Sequence, residues 1–187
     1  MKKEDLRITK TKKNLYNGLL MLMKENTFEE IKVSDICSIA LVNRSTFYDH
    51  FDDKYELLES LIKDLKEDLI QKLKENRQID NAREYYIEMI KLLMDHTKDN
   101  IMIYSSILKH NNNSIVMDMV YDTVYKDVEN YIDEHENITA EIPAEIISKF
   151  YVSAVINVCL DYIKSPHKYK KEDILEYLSK LIPIKIY

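Results

Sequence analysis

Val33-Ser34-Asp35-Ile36-Cys37-Ser38-Ile39-Ala40-Leu41-Val42-Asn43-Arg44-Ser45-Thr46-Phe47-Tyr48-Asp49-His50-Phe51 reads as two short helices joined by a tight turn. Ile36, Ile39 and Ala40 give the first helix, about Val33 to Ala40, its buried side. The turn is Leu41-Val42-Asn43. Asn43 suits the cap of the second helix, since its side chain can accept from an orphan backbone N–H. That helix is expected over about Arg44 to Phe51. At about 100° per residue, Phe47 and Phe51 share one face and plug into Ile36, Ile39 and Val42. Ser45, Thr46 and Asp49 then point away from the core, with Tyr48 and His50 on opposite shoulders. Small polar groups facing outward, flanked by longer donors, are what a helix needs to meet base edges in a DNA major groove while its neighbours reach phosphates. Arg44, at the tip, is placed to reach a guanine edge or a phosphate. This is the helix-turn-helix pattern, although the same shape also occurs as plain packing.

Composition narrows the rest. The 187 residues are 45% hydrophobic and 32% charged, enough for a core and a polar surface. One glycine (Gly18) and three prolines (Pro143, Pro166, Pro183) are too few for the turns of a sheet protein, so an all-α fold is expected. The same scarcity removes a phosphate-cradling glycine loop and a dinucleotide fingerprint, so no cofactor is expected. Five histidines include no pair spaced for a metal, and no serine sits in a nucleophile elbow; no catalytic or metal site is expected. Cys37 and Cys159 do not make a disulfide framework. No apolar stretch stands out as long enough to cross a membrane and no leader is evident, which points to a cytoplasmic protein.

The net charge of −6 taken alone argues against nucleic acid, but its distribution points the other way. Lys2, Lys3, Arg7, Lys10, Lys12 and Lys13 face only Glu4 and Asp5 in the first 13 residues. From Tyr55 onward 17 basic residues stand against 24 acidic ones. A basic arm on an acidic body suits a protein that meets phosphate at one end.

A first helix is expected from about Asp5 to Glu25, with Ile8, Leu15, Leu19 and Leu22 as its buried stripe. Phe28 and Ile31 pack before the helix-turn-helix. Asp52 or Asp53 caps a long helix from Lys54 to about Asn76, striped by Leu57, Leu58, Leu61, Ile62, Leu65, Leu69 and Leu73. Further helices are expected near 81–97, 99–110, 113–135, 143–164 and 170–182. The division expected is a DNA-binding domain over 1–54 and a helical body over 55–187.

The run Asp35-Ile36, Ala40, Val42, Thr46-Phe47-Tyr48, Phe51 and Lys54-Tyr55-Glu56-Leu57-Leu58 resembles the DNA-binding domain of the TetR family of bacterial regulators. The upstream Phe28-Glu29-Glu30-Ile31 suits that family's junction between its first two helices. The resemblance implies phosphate contacts from Tyr48, His50 and Lys54, supported by Thr46. It implies base or backbone contacts from Ser34, Arg44, Ser45 and Asp49, with Asn43 beside them. Two positions depart from the pattern. Leu41 stands where the family usually has glycine, and Lys32 where it often has threonine.

Beyond about Leu65 the resemblance rests on helix number and length. Tyr85, Tyr86, Met89, Met102, Tyr104, Tyr121 and Tyr125 recur at helical spacing. They read either as a soft core or as the lining of an effector pocket. Phe150, Tyr151, Ala154, Val155, Val158 and Tyr162, with Leu178, form more apolar surface than one core-facing stripe needs. The resemblance implies that such helices pair with those of a second copy, a reading favoured over an ordinary buried helix because a single reading helix touches too few base pairs. The expectation is a homodimeric repressor on a near-palindromic operator, controlled by a small molecule. The alternative is a body that binds a protein partner, as in a subgroup of TetR-like proteins that includes some activators.

Overall fold

The computed structural model describes residues 3–76, 82–111, 115–135, 142–165 and 168–181. Among them the chain is helical, without a strand. The order is α1 (Lys3–Met23), a 3-10 turn (Phe28–Glu30), α2 (Val33–Ala40), α3 (Arg44–Tyr48), α4 (Lys54–Asn76), α5 (Ala82–Asp99), α6 (Ile101–Asn111), α7 (Ile115–His135), α8 (Ala144–Lys164) and α9 (Lys171–Leu181). The expected all-α fold is present. The helix that differs most from its expected range is α3, which ends at Tyr48 rather than Phe51. Its continuation is a tight turn in which the Asp49 N–H bonds Ser45 and the Phe51 N–H bonds Phe47. Phe51 is still buried.

The chain forms two compact units. The first takes residues up to Leu65 together with Met102–Met119, and the second takes Lys66–Ile101 and residues from Val120 on. The unit around the helix-turn-helix is therefore larger than the 1–54 segment read from sequence. Ile107 and Val116 are buried in the same cluster as Leu15, Leu19, Phe28, Ile36, Phe47, Phe51 and Leu57.

Within the first unit, α1 lies directly on α2. A Cβ placed on Gly18 would stand 3.0 Å from the Ile36 carbonyl oxygen and 3.3 Å from the Ala40 Cβ. The lone glycine is thus where two backbones meet. Two expected core positions lie elsewhere. Ile39 is 40% exposed and Cys37 is buried in its stead, because the face turned to α1 runs through Ile36, Cys37 and Ala40. Ile8 is also exposed, since the buried stripe of α1 starts at Leu15. Tyr16 ties α1 to α4 through its hydroxyl, which lies 2.8 Å from Ser60 Oγ and donates to Asp64 Oδ2 at 2.8 Å. Asp53 caps α4, its Oδ1 accepting from the Tyr55 and Glu56 N–H groups.

Two polar side chains grip the 3-10 turn. The Asn111 amide is 1% exposed; its Oδ1 accepts from the Phe28 N–H at 2.7 Å. Its Nδ2 donates toward the Met23, Asn26 and Ile107 carbonyls at 3.2 Å. The Lys54 ammonium donates to the carbonyls of Phe28 (2.9 Å), Glu29 (2.8 Å) and Ile31 (2.8 Å). It also sits 4.9 Å from the Phe28 ring centre and 5.6 Å from that of Tyr55.

In the second unit, Ile90 and Met94 of α5 pack on Cys159 and Tyr162 of α8 and on Ile174 and Leu178 of α9. Lys171 pairs with Asp95, and Lys66 with Asp127 at 2.9 Å. Contrary to the sequence reading, α8 is long and apolar enough, by length and composition, to cross a membrane. The physical reason is that it has two apolar faces. Ile147, Val152, Ile156, Cys159 and Ile163 are buried, while Ile146, Phe150, Ala154 and Val158 stand open at four-residue spacing.

Candidate nucleic-acid interface

The turn between α2 and α3 is closed by the Val42 N–H bonding the Cys37 carbonyl at 3.0 Å and by the Leu41 N–H approaching that of Ser38. This closure holds Leu41 in the left-handed region, at φ 54° and ψ 42°. Thus the turn keeps a glycine-like shape although the residue is leucine. Asn43 occupies the cap position of α3 in extended conformation, but its side chain makes no cap hydrogen bond, a departure from expectation. The cap chain instead faces a surface concavity.

That concavity, about 240 Å³, is lined by Arg7, Lys10, Thr11, Asn14, Leu41, Val42, Asn43 and Thr46. Arg7, Lys10, Thr11 and Asn14 follow i, i+3, i+4, i+7 spacing and so form one polar stripe of α1. Thr11 and Asn14 are not among the residues expected from sequence, although their helical spacing with Arg7 and Lys10 is a signal for them. Lys12, on another face, lies 5.5 Å from the Phe51 ring centre.

On α3, Phe47 is fully buried and its ring lies 5.9 Å from that of Phe51. Arg44, Ser45, Tyr48 and Asp49 are exposed, and Thr46 and His50 are half-buried. The two phenyl rings therefore turn the expected polar face outward. Ser34 is half-buried with its hydroxyl donating to Asp35 at 3.1 Å. Burial pushes the Cys37 thiol up, and the charge of Arg44 opposes the shift.

Lys54 is engaged within the fold at this face. Its three N–H donors go to backbone carbonyls. Its role in the structure is to close the 3-10 turn onto the start of α4. Lys54→Met is expected to lower stability by about 2 kcal/mol, since charge-assisted hydrogen bonds are lost from a half-buried site. The dependence of DNA affinity on salt should stay unchanged. Thermal melts and a salt titration check this; a salt slope reduced by about one would show a phosphate contact instead.

The other predicted sites separate. Met102 and Tyr104 belong to the first unit, and Tyr86, Met89, Tyr121 and Tyr125 to the second. The side chain of Tyr85 lies outside the described residues. Met102 is 78% exposed, which is unlike the wall of an enclosed pocket. Burial pushes the Tyr104 hydroxyl up to about 12. Tyr121 and Tyr125 stack at 5.7 Å, and the Tyr125 hydroxyl lies 2.6 Å from Ser153 Oγ of α8. Of the expected dimer residues, Tyr162 and Leu178 are buried within the second unit instead, and Val155 packs against the same cluster. Phe150 is 68% exposed, Ala154 and Val158 are exposed and Tyr151 is half-buried.

The model for the bacterial regulatory proteins of the tetR family matches residues 15–61, and a transcriptional regulator C-terminal region matches residues 84–183. The chain belongs to the TetR family. It is a transcription regulator and not an enzyme. A curated relative, the dhaKLM operon transcriptional activator DhaS of Lactococcus lactis, is 25% identical over 159 residues, covering 82% of this chain and 79% of its own. The crystal structure of a TetR regulator from Streptococcus agalactiae is 28% identical with a TM-score of 0.64, covering 95% of this chain and 96% of its own. A TetR-family regulator from Syntrophomonas wolfei has a TM-score of 0.69 at 18% identity, covering 92% and 93%, a likeness of fold. Both parts of this TetR-family chain therefore have counterparts, the helix-turn-helix head and the helical body.

Proposed function

We propose that this regulator works in the cytoplasm as a homodimer on a near-palindromic operator, each protomer laying α3 in the major groove of one half-site. The observation that carries the reading is the split of α3, with Phe47 and Phe51 buried and Arg44, Ser45, Tyr48 and Asp49 outward. Arg44 and Ser45 face bases, with Asp49 accepting from a cytosine amino group. Tyr48 and His50 hold phosphates, with Thr46, Asn43 and Ser34 at the flank. The open stripe Ile146, Phe150, Ala154 and Val158, joined by Tyr151, supports pairing of α8 with its copy. The simplest mode is repression by occupying the operator, relieved by a small apolar effector near Tyr86, Met89, Tyr121 and Tyr125 of the second unit.

The likeness to a named activator supports a second reading, in which the body engages a protein partner and the chain activates. Both readings make the same DNA prediction. Selection from a random-sequence duplex pool should return two inverted half-sites whose centres lie one helical turn, or a small multiple, apart. Affinity for the selected duplex should fall steeply as salt rises. Enrichment of a single unrepeated half-site would rule out the dimer, and no enrichment would rule out DNA reading altogether. Repeating the selection beside a reporter gene separates repression from activation.

A further inference from the structure

We propose that Leu41 is an apolar contact to DNA, seated on the deoxyribose beside a phosphate held by Arg7 and Lys10. The inference rests on the DNA-binding reading above and names a contact within it. Leu41 is the one described non-glycine residue with positive φ, a conformation strained for any residue bearing a Cβ. Folding gains nothing in return from this side chain, because it is 92% exposed. Strain of this kind, held in place by the surrounding turn, points to a use for the side chain rather than to packing.

Its surroundings say which use. Leu41 lines the same concavity as the two cations Arg7 and Lys10 and the polar side chains of Thr11, Asn14, Asn43 and Thr46. The Thr11 hydroxyl donates to the Arg7 carbonyl, and a pair of cations beside the Thr46 hydroxyl and the Asn14 and Asn43 amides suits a backbone phosphate. Each phosphate in a duplex is flanked by sugar rings whose C–H faces are apolar. An isobutyl group on the rim of a phosphate seat meets that surface, and it reads no base.

The test uses the full chain with the duplex selected by the wild-type protein and a scrambled duplex of equal length. Leu41→Gly and Leu41→Ala should each weaken binding to both duplexes by about tenfold. The salt slope should not change, because no cation is removed. Leu41→Gly should melt no lower than the wild type, since it relieves the strain, whereas Leu41→Ala retains it. Lys10→Ala should lower the salt slope by about one. Wild-type affinity in Leu41→Gly, or a loss confined to the selected duplex, would overturn the sugar contact. If the wild-type chain selects no duplex, the DNA reading itself fails, and this inference with it.

Discussion

Replacing Phe47 with alanine lowers the unfolding free energy of the first compact unit by about 3–5 kcal/mol, and sequence-specific DNA binding is lost with it. The ring is fully buried, 5.9 Å from Phe51 and 5.4 Å edge-on to Tyr48. Removing it deletes apolar contact and leaves a cavity that a short helix cannot collapse to fill. The five residues of α3 are far too few to stay helical unaided. The orientation of Arg44, Ser45 and Tyr48 therefore depends on this one anchor. Urea titration followed by circular dichroism measures the loss, with Ser45→Ala as a control expected to stay within about 0.5 kcal/mol of the wild type. A Phe47→Ala loss below about 1 kcal/mol would mean that α3 is held by something other than its phenyl rings.

Asn111→Ala has the second largest expected effect, about 3 kcal/mol of destabilisation. Asn111 lies 83 residues from the Phe28 N–H it accepts from, and at the C-terminal end of α6. Truncation strips that buried donor of its acceptor and removes the amide from three carbonyls. Burying a polar group without its partner costs far more than the net worth of an average hydrogen bond. Asn111→Leu fills the volume but orphans the same groups, so it should be almost as damaging. Hydrogen exchange supplies the local readout, since the Phe28 amide should lose protection in both variants. Retained protection in the alanine variant would show that water replaces the side chain without penalty.

The helices were legible because their signals are local. Apolar residues at three- and four-residue spacing, few glycines and polar turns predicted every described helix in nearly its observed place. The outward face of α3 was legible for the same reason, since the angle between Phe47 and its neighbours follows from helical geometry alone. Leu41 shows the limit of such reading. The sequence carries a residue poorly suited to the left-handed region, yet the turn imposes that shape through its hydrogen bonds.

Lys54 and Tyr162 show what local signals cannot supply. The sequence around Lys54 offers a cation at a helix start, and only the fold brings three carbonyls of the 3-10 turn around its ammonium. Tyr162 reads as part of an outer apolar surface until Ile90, Met94 and Ile174 are found packed about it. Both outcomes depend on partners far away in the chain.

Periodicity, charge placement and the motif from Asp35 to Leu58 were enough to determine an all-α TetR-family chain with a polar outward face on α3. Those properties follow from each residue and its nearest turns. Tertiary structure alone decided that Gly18 lies at a backbone crossing, that Asn111 clamps the 3-10 turn, and that Arg7, Lys10 and Leu41 share one concavity. Each of these depends on which segments meet in space, and no sequence interval encodes that distance.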